Sequence, residues 1–231
     1  NYVSFSDIDR MIHVYHAAPK KLTVKDRSKK PDSQKSAGKR PHQAHKKNNY
    51  QPKGPSLKME RKNNLRIIPL GGQEEVGRNM TLFEYDGDII ILDMGVMFPE
   101  EDMPGIDYII PNVSYLKGKE KQVRGVVLSH GHLDHIGAAP IILKELNYPM
   151  VVGRDMTIAM VKKKMEDFEK GSAEKLKTIR IKSVTEKISL GKFQIEFFEV
   201  EHSIMDAVGV IIKTPHGTVI HPGDWTMEKD A

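Results

Sequence analysis

The sequence contains no cysteine. That removes disulfides, thiolate zinc sites and cysteine nucleophiles together, so any metal must be held by histidine and carboxylate. It also fits a reducing compartment, and a cytoplasmic location is the expectation. Long hydrophobic runs are missing as well. Nothing approaches the roughly 20 apolar residues of a membrane helix, so no membrane association is expected. Aromatic residues are scarce, 6% of 231 positions with a single tryptophan, while a 39% hydrophobic content suits a soluble chain with a sizeable core. The chain opens on Asn1 without a basic-then-apolar leader, so no secretory signal is read, and the missing initiator Met points to a piece of a longer protein. There is no Walker-type phosphate loop and no internal repeat. The glycine-rich "GGQEEVG" (71–77) has the wrong spacing for a dinucleotide fingerprint.

What is present is unevenly distributed. Residues 1–64 carry 16 Lys and Arg against 5 Asp and Glu, a net of +11; the remainder carries 20 against 26, a net of −6. The stretch 19–64 is rich in Lys, Pro, Ser, Asn and Gln and poor in large apolar residues, so it cannot bury enough surface to offset the entropy of ordering. A disordered basic arm (1–64) on an acidic folded body (65–231) is the expected organisation. Such an arm can neutralise phosphates of a nucleic acid without reading sequence, or can simply keep the chain soluble. Ahead of it, Ile8, Met11, Ile12 and Tyr15 have the spacing of one short amphipathic helix.

In the body, "LRIIPL" (65–70) reads as a strand. The segments "NMTLFEYDG" and "DIIILDMG" read as a hairpin turned at Asp86-Gly87. "VRGVVLS" (123–129) is apolar enough to be a strand buried on both faces. Helices are expected over 136–147 and over 154–171, the second ending at Gly171. The strands "LKTIRIK", "KISL", "KFQIEFFEV", "AVGVIIKT" and "GTVIHPGD" follow, with a turn at Pro215-His216-Gly217. This order predicts a layered α/β fold rather than a doubly wound parallel sheet.

The chemistry concentrates in "LSHGHLDHIGAAP" (128–140), which places His130, His132, Asp134 and His135 within six positions after a strand. The spacing does not stack two histidines on one helical face. A loop leaving a strand end can instead aim alternate side chains to one side, so that His130 and His132 grip one metal while Asp134 and His135 face a second. Imidazole and carboxylate suit Zn²⁺, with Mn²⁺ or Fe as alternatives. Two such ions about 3.5–4 Å apart can share a hydroxide and stabilise a phosphoryl transition state. Two further candidates stand just past strand ends: His202 in "EVEHSIMDA", and Asp224 in "HPGDW", an anion suited to bridge two cations. Asp93 in "IIILDMG" is expected to hydrogen-bond the metal loop rather than ligate. His221 could face either side of its strand, and His216 reads as a solvated turn residue. His13, His16, His42 and His45 read as incidental.

Together these segments resemble the metallo-β-lactamase superfamily. More narrowly, "PLGGQEEVGRNM", "ILDMGVMFPEEDMPGIDYIIPN", "LSHGHLDHIGAAP" and "EHSIMDAVGVIIKTPHGTVIHPGD" are similar to the ribonuclease J family of β-CASP nucleases, over nearly all of 65–231. The resemblance implies a four-layer αββα sandwich with two zinc ions, and RNA as substrate. It implies endonucleolytic and 5′→3′ exonucleolytic cleavage, a preference for 5′-monophosphate ends, and cytoplasmic dimers or tetramers. Residue by residue, it implies one zinc on His130, His132 and His202, and the other on Asp134 and His135, with Asp224 bridging. Asp134 and His135 would then stand beside the attacking hydroxide as the catalytic pair. A structural calcium would fall on Gly105 and Asp107. Departures are Leu133 where Glu is usual, and "HSIMDA" and "PGDW" for the commoner "HSIPDS" and "TGDF". Family members continue into an inserted β-CASP domain and a further metal-binding His. A chain ending at Ala231 is therefore expected to bind metal weakly and cleave RNA slowly. Two other functions share these motifs. One is a small-molecule metallo-hydrolase of the same superfamily; the other is a non-catalytic RNA-binding partner of an active paralogue.

Overall fold

The computed structural model describes residues 64–226, apart from residue 102. The basic arm and the short amphipathic segment at Ile8–Tyr15 lie outside the described residues.

The hairpin strands sort their side chains by alternation. Strand β1 (Arg66–Gly71) pairs antiparallel with β2 (Met80–Tyr85), and β2 with β3 (Asp88–Leu92). The β2–β3 turn is two residues long, and Asp86 and Gly87 both adopt positive φ (46° and 84°), as a turn matching strand twist requires. On β3, Ile89 and Ile91 face one core while Ile90 and Leu92 face another. A strand apolar on both faces needs a layer on each side, and the chain supplies both.

Strand β3 continues in parallel to β4 (Val123–Val127), β5 (Val151–Arg154) and β6 (Thr178–Ile181), completing a six-stranded mixed sheet in the order β1 to β6. The crossovers carry three helices: α1 (Leu133–Ile136), α2 (Ala139–Glu145) and α3 (Asp155–Phe168). Ile142 and Leu143 of α2, with Ile158, Val161 and Met165 of α3, pack on Leu82, Ile91, Val126 and Val151 of the sheet. The other face meets a four-stranded antiparallel meander of β7 (Ile188–Leu190), β8 (Phe193–Glu199), β9 (Val208–Thr214) and β10 (Gly217–His221). Between the sheets lie Phe83, Ile90, Val127, Phe193, Ile195, Val210 and Ile212.

The layered α/β architecture is thus as expected, with three layers, helices–sheet–sheet, among the described residues. Two boundaries differ from expectation. The single helix anticipated over 136–147 is two helices. Leu133–Ile136 forms its own turn, and the Ala138 amide donates to Met94 O (2.9 Å) before the chain turns helical again. The second expected helix stops at Phe168, and Gly171, at φ 78°, begins a separate 3₁₀ turn (Ser172–Lys175).

One backbone hydrogen bond links the sheets where their strand ends meet: Val208 N, opening β9, donates to Ser129 O just past β4 (3.0 Å).

Candidate metal centre

β4 ends at Val127, and Leu128 extends its pairing by donating to Val152 O (2.9 Å). Ser129 and His130 then emerge at the end of the sheet, both buried to 1% exposure. His132 is extended, and the chain winds into α1, where the amides of His135 and Ile136 donate to His132 O (3.0 Å each). Asp134 and His135 therefore stand on a helical turn rather than on an alternating loop. Buried Ile136 anchors that turn in the helix-side core.

A second segment holds α1 in place. After β3 the chain runs alongside it: Met94 N donates to His135 O (2.6 Å), Val96 N to Leu133 O (3.0 Å), Asn79 N to Asp134 O (3.0 Å) and Gly95 N to Asn79 O (2.9 Å). Position 95 must be glycine because the backbones nearly touch; a Cβ there would lie 1.4 Å from Asp134 O.

The meander supplies the rest. His202 follows β8, and Asp224 follows β10 through a turn in which Gly223 N donates to His221 Nδ1 (3.1 Å). Two overlapping groups result: His130, His132 and His202, and His130, His135 and Asp224, each with ligand atoms within 4.8 Å of one another. His132 Nδ1 faces His202 Nε2 at 3.0 Å. His135 Nε2 lies 3.3 Å from Asp224 Oδ1 and 3.5 Å from Asp134 Oδ2, while Asp224 Oδ2 is 3.9 Å from His202 Nε2. All six sequence-predicted ligands thus converge on one end of the sandwich. Gly105, at φ 82°, and Asp107 do not join them; both are exposed in the 103–108 segment, outside both groups.

Hydrogen bonding sets the tautomers. Asp93, itself at φ 61°, receives Ser129 N at Oδ1 and Ser129 Oγ–H at Oδ2 (2.8 Å each). With its proton committed, Ser129 Oγ accepts from His130 Nδ1 (3.0 Å), which leaves His130 Nε2 as a buried lone pair with no partner. His135 Nδ1 donates to Asp93 Oδ2 (2.8 Å), turning its Nε2 toward Asp134 and Asp224. This carboxylate–imidazole arrangement fixes ring orientation and raises the basicity of the free nitrogen.

The electrostatics follow. Burial, reinforced by the neighbouring His135 charge, pushes His130 down to about 4 and keeps it neutral, as a metal ligand must be. Burial works against a charge on His135, but the Asp93 and Asp134 carboxylates outweigh it and lift the imidazole to about 10, so a cation binding at its Nε2 must displace a proton. Asp93 is likewise opposed by burial and held below the usual carboxylate range by His135. The hydrogen bond from His135 lowers Asp134.

Several participants escape sequence reasoning. Asn79 Nδ2 donates to Asp134 Oδ2 (3.3 Å) and lies 3.1 Å from His135 Nε2. Its only signal was a polar residue opening a strand beside a glycine-rich loop. Ser129 had none beyond preceding His130. Burial lowers His221, whose ring shapes the turn bearing Asp224. His216 is exposed, its ring edge on Tyr85 (5.2 Å between centroids).

The cluster fits divalent cations. An unpartnered buried Nε2 on His130 is costly unless something accepts its lone pair. Four imidazoles lie in a chain of ring contacts whose centroids are 4.0–4.9 Å apart. An all-nitrogen-and-oxygen donor set suits Zn²⁺ or Mn²⁺.

Residues 74–226 match the family model described as the metallo-beta-lactamase superfamily. The chain is 41% identical to "Ribonuclease J" of Thermus thermophilus over 171 residues, covering 71% of this chain and 29% of that protein. It is 38% identical to "Ribonuclease J" of Synechocystis sp. over 165 residues, covering 71% of this chain and 25% of that protein. The chain therefore spans between a quarter and a third of the length of these relatives. Among solved structures, a protein of unknown function from Enterococcus faecalis V583 superposes with a TM-score of 0.53 at 19% identity, covering 70% of this chain and 43% of that one; this likeness concerns the fold alone.

Proposed function

The chain belongs to the metallo-beta-lactamase superfamily, in its ribonuclease J branch, and from that premise we propose that it is a metal-dependent ribonuclease hydrolysing RNA phosphodiester bonds. The observation that carries this reading is the convergence of five ligand candidates from three separate segments into two groups sharing His130. One zinc ion would be held by His130, His132 and His202, the other by Asp134 and His135, with Asp224 between them; Mn²⁺ is the alternative. When bound, such a pair makes water acidic enough to attack near neutral pH and offsets charge developing on a phosphodiester.

The chain's own residues do the positioning. Asp93 holds the His135 ring through Nδ1 and, through Ser129, the His130 ring, so both Nε2 atoms are presented without rotational freedom. Asn79 steadies the Asp134 carboxylate against the same ring. Asp224, 44% exposed, is the ligand nearest solvent and lies where a substrate phosphate would approach. Asp134 and His135 are the residues assigned to the side from which water attacks.

The resemblance to ribonuclease J supports finer assignments: 5′→3′ exonuclease and endonuclease activity, 5′-monophosphate ends, homodimers or homotetramers, and a cytoplasmic location. The +11 charge of residues 1–64 supports contact between that arm and the RNA backbone. No helix among the described residues is long and apolar enough to cross a membrane.

The test is incubation of the purified protein with 5′-labelled monophosphate RNA and Zn²⁺ or Mn²⁺, beside His132→Ala. Metal-dependent cleavage, lost in the variant, is expected. A metal-loaded protein that leaves RNA intact but hydrolyses a thioester would overturn the reading.

A further inference from the structure

Asn79 directly precedes β2, and its main chain is held on both sides: Asn79 N donates to Asp134 O (3.0 Å), and Asn79 O accepts from Gly95 N (2.9 Å). The glycine-rich loop at 71–77 makes room for its side chain, since a Cβ at Gly72, itself at φ 86°, would lie 2.3 Å from Asn79 Oδ1. The half-buried carboxamide is thereby packed between that loop and the ligand cluster. One end faces the cluster. Asn79 Nδ2 lies 3.1 Å from His135 Nε2 and 3.3 Å from Asp134 Oδ2, while His135 Nε2 lies 3.5 Å from Asp134 Oδ2 and 3.3 Å from Asp224 Oδ1. Two atoms that each lie about 2.0–2.2 Å from one zinc, at angles of about 90–110°, are about 2.8–3.6 Å apart. All four separations fall in that window. The other end, Oδ1, accepts no hydrogen bond from any described residue, so a half-turn of the amide forfeits no bond there.

We propose that Asn79 is a further ligand of the cation held by Asp134 and His135, its carboxamide turning over so that Oδ1 takes the place of Nδ2 at the cluster. This rests on the two-cation reading of the centre, but not on RNA being the substrate. With no cation among the lone pairs, the nitrogen end is favoured, because it donates to Asp134 Oδ2. An amide nitrogen has only hydrogens to offer, whereas the amide oxygen has two lone pairs. A cation between these groups therefore attracts the oxygen end and repels the nitrogen end. The donors on this side become three oxygens, from Asn79, Asp134 and Asp224, with the single His135 nitrogen. The other side has three imidazoles, from His130, His132 and His202. Oxygen-rich sets suit the harder Mn²⁺, and imidazole suits Zn²⁺, so Asn79 also sets the two sides apart in the ion each prefers.

The experiment is calorimetric titration of the metal-free protein with Mn²⁺, in the absence of RNA. The binding phase that disappears in His135→Ala belongs to this side. Asn79→Ala should weaken that phase by about 10- to 100-fold. Asn79→Asp separates ligation from mere support of Asp134. An anionic oxygen in a ligand's place should tighten the phase by about 10-fold, since ligand charge tunes affinity in oxygen sites. An amide needed only as a donor would give the opposite result, because two carboxylates would then face each other. Both substitutions leave the backbone bonds of residue 79 in place, so both proteins should fold, as circular dichroism would show. A weaker or unchanged phase in Asn79→Asp, or an unchanged one in Asn79→Ala, would overturn the assignment while leaving the metal centre intact. A wild-type protein that takes up no cation would defeat both.

Discussion

Replacing Gly95 by alanine tests whether the segment after β3 holds the metal loop in place. The added Cβ would sit 1.4 Å from Asp134 O and 2.1 Å from its carbonyl carbon, where real Cβ contacts essentially never fall below 3.0 Å. The obstacle is backbone, not the end of a flexible side chain. The carbonyl must retreat from 1.4 Å to at least 3.0 Å, which moves α1 away from its clamp. The hydrogen bonds Asn79 N to Asp134 O and Gly95 N to Asn79 O lie in the path of that movement, and both are partly or fully shielded from water. Two lost bonds that leave shielded groups unpaired amount to about 3–5 kcal/mol of destabilisation. Metal sites tolerate ligand displacements of only about 0.2 Å, so a 10- to 100-fold loss of affinity is expected at the Asp134–His135 side. Urea unfolding gives the first quantity, and competition against a chromophoric chelator gives the second. A Gly95→Ala protein within 1 kcal/mol of wild-type stability (about the worth of one hydrogen bond) and within twofold in metal affinity would refute the clamp.

Asp93→Asn should lower metal affinity about 10- to 100-fold, because the charged acceptor of His135 Nδ1 is lost, and calorimetry would show it as a weaker binding phase. His135→Ala and His132→Ala should each remove a different ion from the stoichiometry; equal residual content with identical affinities would contradict two groups that share only His130. Saturating metal at about 100 times the dissociation constant should raise stability by about 2.7 kcal/mol, reversed by chelation and read as a shifted melting curve. Ile90→Ala, a fully buried side chain between the sheets, should cost about 2–5 kcal/mol, whereas Ile220→Ala, 49% exposed, should cost far less in the same denaturation assay.

How much of this was legible in the sequence depended on whether the information was local. The β2–β3 hairpin was, because Asp86-Gly87 names its own turn. The two-faced burial of β4 was, because its apolar residues leave little polar surface to turn outward, although Arg124 at its start is exposed. The division between α1 and α2 was not, because "IGAAPIILKELN" is continuous in composition, and the break comes from Ala138 bonding to Met94, a residue 44 positions earlier. The six ligand candidates stood out because histidine and aspartate at strand ends are conspicuous. Asn79 and Ser129 are as closely involved, but their contacts join residues far apart in sequence, and no spacing rule announces them.

The backbone hydrogen bond between the sheets, from Val208 to Ser129, bears on how the molecule assembles and comes apart. The meander β7–β10 is sewn by neighbours in sequence and can form early, whereas its seating on the larger sheet joins residues about 80 positions apart and must await a slow search. Away from the hairpin end, where Lys192 N donates to Asp88 Oδ2 (2.9 Å), the contact between the sheets is largely apolar, and such contacts have little direction. Cations gripped by His130 on one side and by His202 and Asp224 on the other would act as a rivet driven last, adding little to the speed of folding and much to the barrier against unfolding. The protein should then lose metal and sheet register in one event, and its lifetime under heat should track metal occupancy more closely than does its refolding rate.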